Sequence, residues 1–251
     1  MKPRDFQIFL QKKLSGIYEV QEAGAIAARY LTDRFGLSTT QLLLNEELPL
    51  TTEEEANIDG DVQQLLAHVP VQQVVGFELF CGHRFKVNGD TLIPRPETED
   101  LVQLATEKCC GALSNILDVG TGSGCIAISL AKALPLAHVT AWDISEGALQ
   151  VAQENATTLG ARVDFELRDL LKEADAPTLA PQSLDAIVSN PPYIPEEEAQ
   201  TMEAQVVNYE PHSALFVPND NPLLFYHALE RLGWHALRPS GSLLVETHTD
   251  F

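Results

Sequence analysis

The feature that most constrains this chain is a regular alternation of strand-like and helix-like segments. It begins at Asn115 and continues to the end of the sequence. Residues 116–119 are a short apolar run that reads as a buried strand, and residues 124–134 read as a helix. Strands are predicted at 138–142, 163–167 and 184–188, with a helix at 147–159 between the first two. A long helix over 222–237 follows, then a fifth strand over 242–246 after a Pro-Ser-Gly turn. Such alternation forms a parallel sheet, because each crossover helix returns the chain to the same end and covers one sheet face. The predicted fold class is therefore α/β, and there is no internal repeat.

The upstream residues follow other periods. Residues 1–72 read as a small helical domain. Phe6, Phe9, Leu10 and Leu14 are expected on one helical face. An alanine-rich helix over 23–35 should stop at Gly36. Thr51-Thr52-Glu53-Glu54-Glu55 opens another helix, with a hydroxyl cap and acids in its first turn. Gly60 weakens the middle of that helix and Pro70 ends it. Residues 73–92 read as a link, with a β-hairpin over 77–87 that turns at Cys81-Gly82-His83. Residues 93–251 form the α/β domain. It opens on Pro94-Arg95-Pro96-Glu97-Thr98-Glu99, where two prolines rule out a helix interior and Pro96 can open the next helix.

Charge and cysteines narrow the function. Thirty-six acidic residues against 16 basic ones give a net charge of −20. Such a surface repels polyanions, which argues against nucleic acid and suits a basic protein partner. Apolar runs are far shorter than the ~20 residues of a membrane span, and the N-terminus lacks the apolar core of a secretion signal. A cytoplasmic location is expected. Cys81, Cys109, Cys110 and Cys125 form no CxxC pair, and no histidines cluster at metal-ligand spacing. All four are expected to be reduced thiols, with Cys125 packed in a first helical turn and no metal bound.

Two motifs carry chemistry. Gly120-Thr121-Gly122-Ser123-Gly124 lies between a strand and a helix, where glycines admit a ligand to the backbone and the helix start offers free N–H groups. A dinucleotide fingerprint started at Gly120 needs a third glycine where Cys125 stands, and started at Gly122 it fits only the looser form that ends in alanine, at Ala127, so a pyrophosphate site stays open but is not favoured. S-adenosylmethionine, which needs close backbone contact but no phosphate cradle, suits the pattern better. Asp118 can bind that ligand's ammonium group or fix the loop through backbone N–H groups. Asp143 can bind ribose hydroxyls from a strand end, or it is a surface acid or helix cap. Asp169 and Leu170 follow the third strand, where an adenine ring would lie; a short helix cap is the other reading of Asp169.

The second motif is Asn190-Pro191-Pro192-Tyr193 at the end of the fourth strand. Asn190 precedes a proline and is confined to extended backbone, while Pro191 has a fixed φ. The stiff loop presents two acceptors, the Asn190 side-chain oxygen and the Pro191 carbonyl. Together they can hold the protons of one planar NH₂ group and aim its lone pair at a methyl donor. Tyr193 can lie against the planar acceptor.

Read together, these residues resemble the Rossmann-like class I S-adenosylmethionine-dependent methyltransferases. Asp118 to Ala131, the Pro94 to Glu99 box, Asn190-Pro-Pro-Tyr-Ile194 and Tyr209-Glu-Pro-His-Ser-Ala-Leu215 resemble the HemK family in particular. These are protein-(glutamine-N(5)) methyltransferases of peptide chain release factors. The resemblance implies that the substrate is the glutamine of a Gly-Gly-Gln tripeptide and that S-adenosylhomocysteine is the product. It implies cofactor contacts at Gly120, Thr121, Gly122, Ser123, Gly124, Asp143, Leu170 and Asn190. It also implies that Asn190, Pro191, Pro192 and Tyr193 hold the glutamine and that the helical domain docks the release factor. Two departures stand out. Leu170 lies where the family often has an aromatic residue near the adenine. The chain also stops at Phe251, before the two final strands of this fold, so the expectation is an incomplete sequence or a bare sheet edge. A nucleic-acid amino methyltransferase uses the same Asn-Pro-Pro-Tyr chemistry and is the competing enzyme reading; a binding module without catalysis is the third.

Overall fold

The computed structural model describes residues 1–109 and 113–247, apart from the side chains of Thr39, Glu53 and Ala56. Cys110, the acidic side chain at Glu53 and the chain end at Phe251 lie outside the described residues. The chain divides into two compact units, Met1–Gly76 with Ala204–Tyr209, and Phe77–Glu203 with Glu210–Phe251.

The first unit is helical. It contains α1 (Pro3–Leu14), α2 (Val20–Phe35), α3 (Thr39–Leu44), α4 (Thr52–Leu66) and α5 (Val71–Val75). Thr51 and Glu54 form a reciprocal capping box at the start of α4, each bonding the other's backbone N–H, which satisfies donors a helix start leaves open. Gly36 ends α2 in the left-handed conformation, as its sequence position predicts. Leu10, Leu14, Ala27, Tyr30, Leu31 and Leu65 are buried together. Phe9 departs from the expected apolar face: it is 48% exposed, and Lys13 Nζ lies 5.0 Å from its ring centre. Each helical residue turns the chain by about 100°, so Phe9 falls well off the Leu10–Leu14 stripe.

The second unit begins with the antiparallel hairpin β1 (Phe77–Phe80) and β2 (His83–Lys86), turned by Cys81 and Gly82 at positive φ. Then come α6 (Thr98–Cys109), β3 (Asn115–Val119), α7 (Cys125–Ala133), β4 (His138–Asp143), α8 (Glu146–Leu159), β5 (Asp164–Leu167), α9 (Leu170–Asp175), β6 (Leu184–Ser189) and β7 (Ile194–Pro195). After α10 (Ala204–Tyr209), which groups with the helical unit, the chain continues as α11 (His212–Leu215), β8 (Phe216–Val217), α12 (Leu224–Ala236) and β9 (Leu237–Val245). No described helix is long and apolar enough to cross a membrane.

Five strands form one parallel sheet in the order β5-β4-β3-β6-β9. Successive strand residues point to opposite faces. Ile116, Ala186 and Val188 therefore join the core that also holds Ile126, Ile128 and Leu130 of α7. Leu117, Val119 and Ile187 join the other core, with Trp142, Leu229 and Leu232. Both faces are covered, as the near-continuous apolar strands require.

The last strand differs from the expected 242–246. It starts at Leu237, and its pairing to β6 jumps from Leu184↔Leu237 to Ala186↔Ser242. The Pro-Ser-Gly segment is thus an irregularity within the strand and not a turn before it. Pro239 has no N–H for the ladder and Ser240 sits at φ 77°, so the segment cannot pair regularly.

From β3 the chain winds outward in one direction to β4 and β5, then crosses back to β6 on the other side of β3. A crevice opens at such a reversal, beyond the carboxyl ends of the strands. Register aligns those ends: Val119 pairs with Trp142 and Ser189, and Ser189 pairs with Val245. The next residues along the row are Gly120, Asp143, Asn190 and Glu246.

Candidate active site

A cleft of about 320 Å³ lies at this row. Gly120, Gly122, Asp143, Asp169, Leu170, Asn190, Pro191 and Pro192 line it. The remaining predicted residues, Asp118, Thr121, Ser123, Gly124 and Tyr193, do not line it.

The glycine loop works through its shape. Gly120, Gly122 and Gly124 all have positive φ. At Gly120 and Gly122 a Cβ would meet nothing within 4 Å, so a ligand can approach the bare backbone there. Four amides of the loop itself are hydrogen-bonded within the protein. The amides of Gly120 and Thr121 both donate to the Trp142 carbonyl at 2.9 Å. Gly122 N–H donates to Asp143 Oδ2 at 2.8 Å, and Gly124 N–H to the Thr121 carbonyl at 2.9 Å. With these donors internally satisfied, the loop is a poor cradle for a pyrophosphate.

Asp118 makes the loop-fixing bonds of its two readings. Its Oδ2 accepts from Thr121 Oγ1 at 2.6 Å and from Ala127 N–H at 3.1 Å, tying the strand end to the first turns of α7. Burial pushes its pKa up from 3.8 to about 7, against the opposing pull of those two donors. A folded-state pKa above the unfolded value means that stability is greatest with the group protonated and falls as pH rises through the folded value. Wild type should therefore lose stability relative to Asp118→Asn between about pH 4 and pH 7. Urea denaturation across that range measures it, and a constant difference would exclude this titration.

Asp143 lies on the cleft wall. Besides Gly122, it accepts from Ser145 N–H at 2.9 Å through Oδ1. Burial raises its pKa. Asp169 caps α9 by accepting from Leu171 N–H at 3.0 Å and pairs with Lys172 Nζ at 3.2 Å, while also lining the cleft. Leu170, beside it, is buried in the core that includes Trp142. Cys125 opens α7 as a buried packing residue, and burial pushes its thiol up to about 12.

Asn190 faces the cleft from the end of β6. Its Nδ2 donates to Thr98 Oγ1 at 3.2 Å. Thr98 Oγ1 in turn donates to Glu246 Oε2 at 2.6 Å. Glu246 Oε1 lies 3.4 Å from the Tyr193 hydroxyl, and the Glu246 amide donates to the Ser189 carbonyl. Burial, then the Glu246 charge, pushes the Tyr193 pKa up to about 12.

Several contributors were not singled out from sequence. Asp90, Thr91 and Leu92, just before the Pro94–Glu99 box, line the cleft, as does Phe225 of α12. Their closeness to the box was an available signal; nothing local marked Phe225. Buried Asn155 bonds the Lys86 N–H and carbonyl and the Ser123 carbonyl, joining the hairpin to the glycine loop. The box itself proves to be an anchor. Arg95 pairs with buried Glu210 at 2.6 Å, and Glu210 also accepts from Ile93 N–H at 2.9 Å. Glu99 accepts from Cys81 N–H at 2.7 Å. Two motifs 115 residues apart in sequence thus meet in one ion pair.

A methyltransferase small domain matches residues 98–212, and the PrmC N-terminal domain matches residues 9–76. A release factor glutamine methyltransferase of Bacteroides thetaiotaomicron is 40% identical over 238 residues, covering 95% of this chain and 84% of that protein. The chain belongs to the release factor glutamine methyltransferase family. Its relative from Enterococcus faecalis is 40% identical, covering 92% of this chain and 82% of the other. That of Flavobacterium psychrophilum is 37% identical over 97% and 85%. The HemK resemblance read from four motifs is thereby borne out, and with it a methyltransferase enzyme. The family match accounts for both parts of the chain, since one domain covers most of the helical unit and the other spans the glycine loop and residues 190–193.

Proposed function

We propose that this protein transfers a methyl group from S-adenosylmethionine to the side-chain amide nitrogen of a glutamine in peptide chain release factors, within a Gly-Gly-Gln tripeptide. The observation that carries this reading is Asn190: it lines the cleft at the strand reversal, gives its NH₂ to Thr98, and keeps its side-chain oxygen clear of any hydrogen bond among the described residues. The names of the relatives support the acceptor.

The residues present fit the donor. Gly120 and Gly122 leave backbone uncovered, Asp143 and Asp169 offer carboxylates, and Leu92, Leu170 and Phe225 give the cleft apolar walls. These groups would hold the amino-acid, ribose and adenine parts. When bound, S-adenosylmethionine supplies an electrophilic methyl on a sulfonium sulfur that departs as a neutral thioether.

An amide nitrogen is a weak nucleophile because its lone pair is delocalised into the carbonyl. Asn190 Oδ1 and the Pro191 carbonyl compensate by accepting its two protons, which orients the lone pair toward the methyl carbon. Both are fixed dipoles placed where positive charge develops on nitrogen. No strong base is needed, because the amide proton becomes acidic as the N–C bond forms and is released to water. The helical unit, with Ile8, Phe9, Val20, Leu43 and Leu44 exposed, serves as the docking element for a cytoplasmic release factor. The net charge of −20 favours a basic partner surface.

Incubating the protein with S-adenosylmethionine and purified release factor, followed by peptide mass spectrometry, tests the reading. One added methyl on the tripeptide glutamine is expected. An unmodified glutamine, with cofactor binding confirmed by calorimetry, would overturn it.

A further inference from the structure

We propose that Thr98 and Glu246 are positioning residues that decide which end of the Asn190 amide faces the cleft. The inference rests on the glutamine-methylation reading above and deepens it. An asparagine side chain has two ends of similar shape and opposite polarity. Only one orientation accepts protons from a substrate NH₂; the reversed one would oppose donor to donor. Packing discriminates poorly between them, so a hydrogen bond of defined direction must do so.

The structure contains such a bond in a directed chain. An ionised carboxylate only accepts. The Thr98 hydroxyl, 2.6 Å from Glu246 Oε2, therefore directs its single proton to Glu246. Its oxygen is left to accept, and Asn190 lies 3.2 Å away. The group facing Thr98 must then be the NH₂, and Oδ1 turns to the cleft. Thr98 is buried and does not line the cleft, so its hydroxyl acts through Asn190 and not on the ligand.

Both partners are held independently of Asn190. Thr98 opens α6, and its N–H donates to the Arg95 carbonyl at 3.1 Å. Glu246 is fixed at the end of β9 by its amide bond to Ser189, and its carbonyl accepts from the Tyr226 hydroxyl at 3.2 Å. This assigns a task to the threonine in the Pro94–Glu99 box and to a glutamate that no motif marked.

The test compares wild type, Thr98→Val, Thr98→Ser and Glu246→Gln. Thr98→Val keeps the shape and removes the hydroxyl. It should lower kcat on release factor on the order of 10- to 100-fold, with KM and cofactor affinity little changed, because a misdirected acceptor harms alignment and not binding. Thr98→Ser should restore most of the rate. Glu246→Gln, whose amide can donate to Thr98, should fall between them. Independently of activity, ¹⁵N NMR of the free protein should show the Asn190 side-chain protons slow to exchange with solvent in wild type and Thr98→Ser, and faster in Thr98→Val. Equal kcat in Thr98→Val, or equal exchange in all three, would overturn the proposal. So would a parallel loss of melting temperature and cofactor affinity in both Thr98 variants, which would mark a purely structural threonine. If wild type methylates no glutamine, the proposed function fails, while the exchange measurement still decides the orientation.

Discussion

Asn190→Ala is expected to lower turnover on release factor by on the order of 10²- to 10³-fold, the range seen when one preorganised polar group is removed from a transition-state site. The variant loses one of the two acceptors proposed to hold the substrate NH₂, and the Pro191 carbonyl alone leaves the amide free to rotate about that single bond. Cofactor binding should largely survive, because Gly120, Gly122, Asp143, Asp169 and Leu170 keep their places on the cleft wall. The fold should survive too, since the Asn190 side chain contributes one half-buried hydrogen bond, of about 1 kcal/mol. Single-turnover methylation alongside calorimetric titration of S-adenosylmethionine separates the two effects. Unchanged turnover would remove Asn190 from the mechanism, and with it the argument for Thr98 and Glu246.

The largest stability effect is expected from Gly124→Ala. Gly124 lies at φ 81°, where an L-residue is strained by about 1–2 kcal/mol. The added Cβ would lie 2.8 Å from Ile128 Cδ1, 3.1 Å from Ala152 Cβ and 3.3 Å from the Ala152 backbone. Ile128 is interior to α7 and fully buried, so it cannot swing away freely. Overpacking at such a site costs about 1–3 kcal/mol. The sum, about 2–5 kcal/mol, should shift the urea midpoint clearly. Gly122→Ala is the control. Its φ is 55° but its Cβ would meet no atom within 4 Å, so it should show the conformational term alone in stability. It should weaken cofactor binding, since its methyl takes space the ligand would use. Equal midpoints for the two variants would refute the packing argument. Gly124 then stands in the motif to let α7 and α8 approach, whereas the space beside Gly122 is open.

Much of the fold was legible because it rests on local rules. The apolar strands of 116–119 and 184–188 could only be buried on both faces, and the intervening helices dictated parallel pairing. Gly36 and the Thr51–Glu54 box acted as helix punctuation because their partners lie within a few residues. The readings that failed depended on neighbours distant in sequence. Phe9 looked apolar enough to bury, but only the helix azimuth and the packed elements decide which residues reach the core. The Pro-Ser-Gly segment near 239–241 was a turn signal with sound local reasons, yet pairing with β6 absorbed it as a strand irregularity.

The site divides the same way. The residue types at 120–124 and 190–193 by themselves determined a sharp glycine turn and a stiff acceptor loop, since φ restrictions and donor or acceptor character travel with the residue. The sequence also carried enough family-specific pattern to determine what kind of enzyme this is. Only the tertiary structure decided that the loop amides are turned inward, that Asp118 holds the loop, and that Thr98 and Glu246 meet behind Asn190 from positions 148 residues apart. Hydrogen-bond direction is a property of the partner as much as of the residue, and the partner arrives only when folding brings the ends of β4, β3, β6 and β9 into one row and sets the start of α6 beside Asn190.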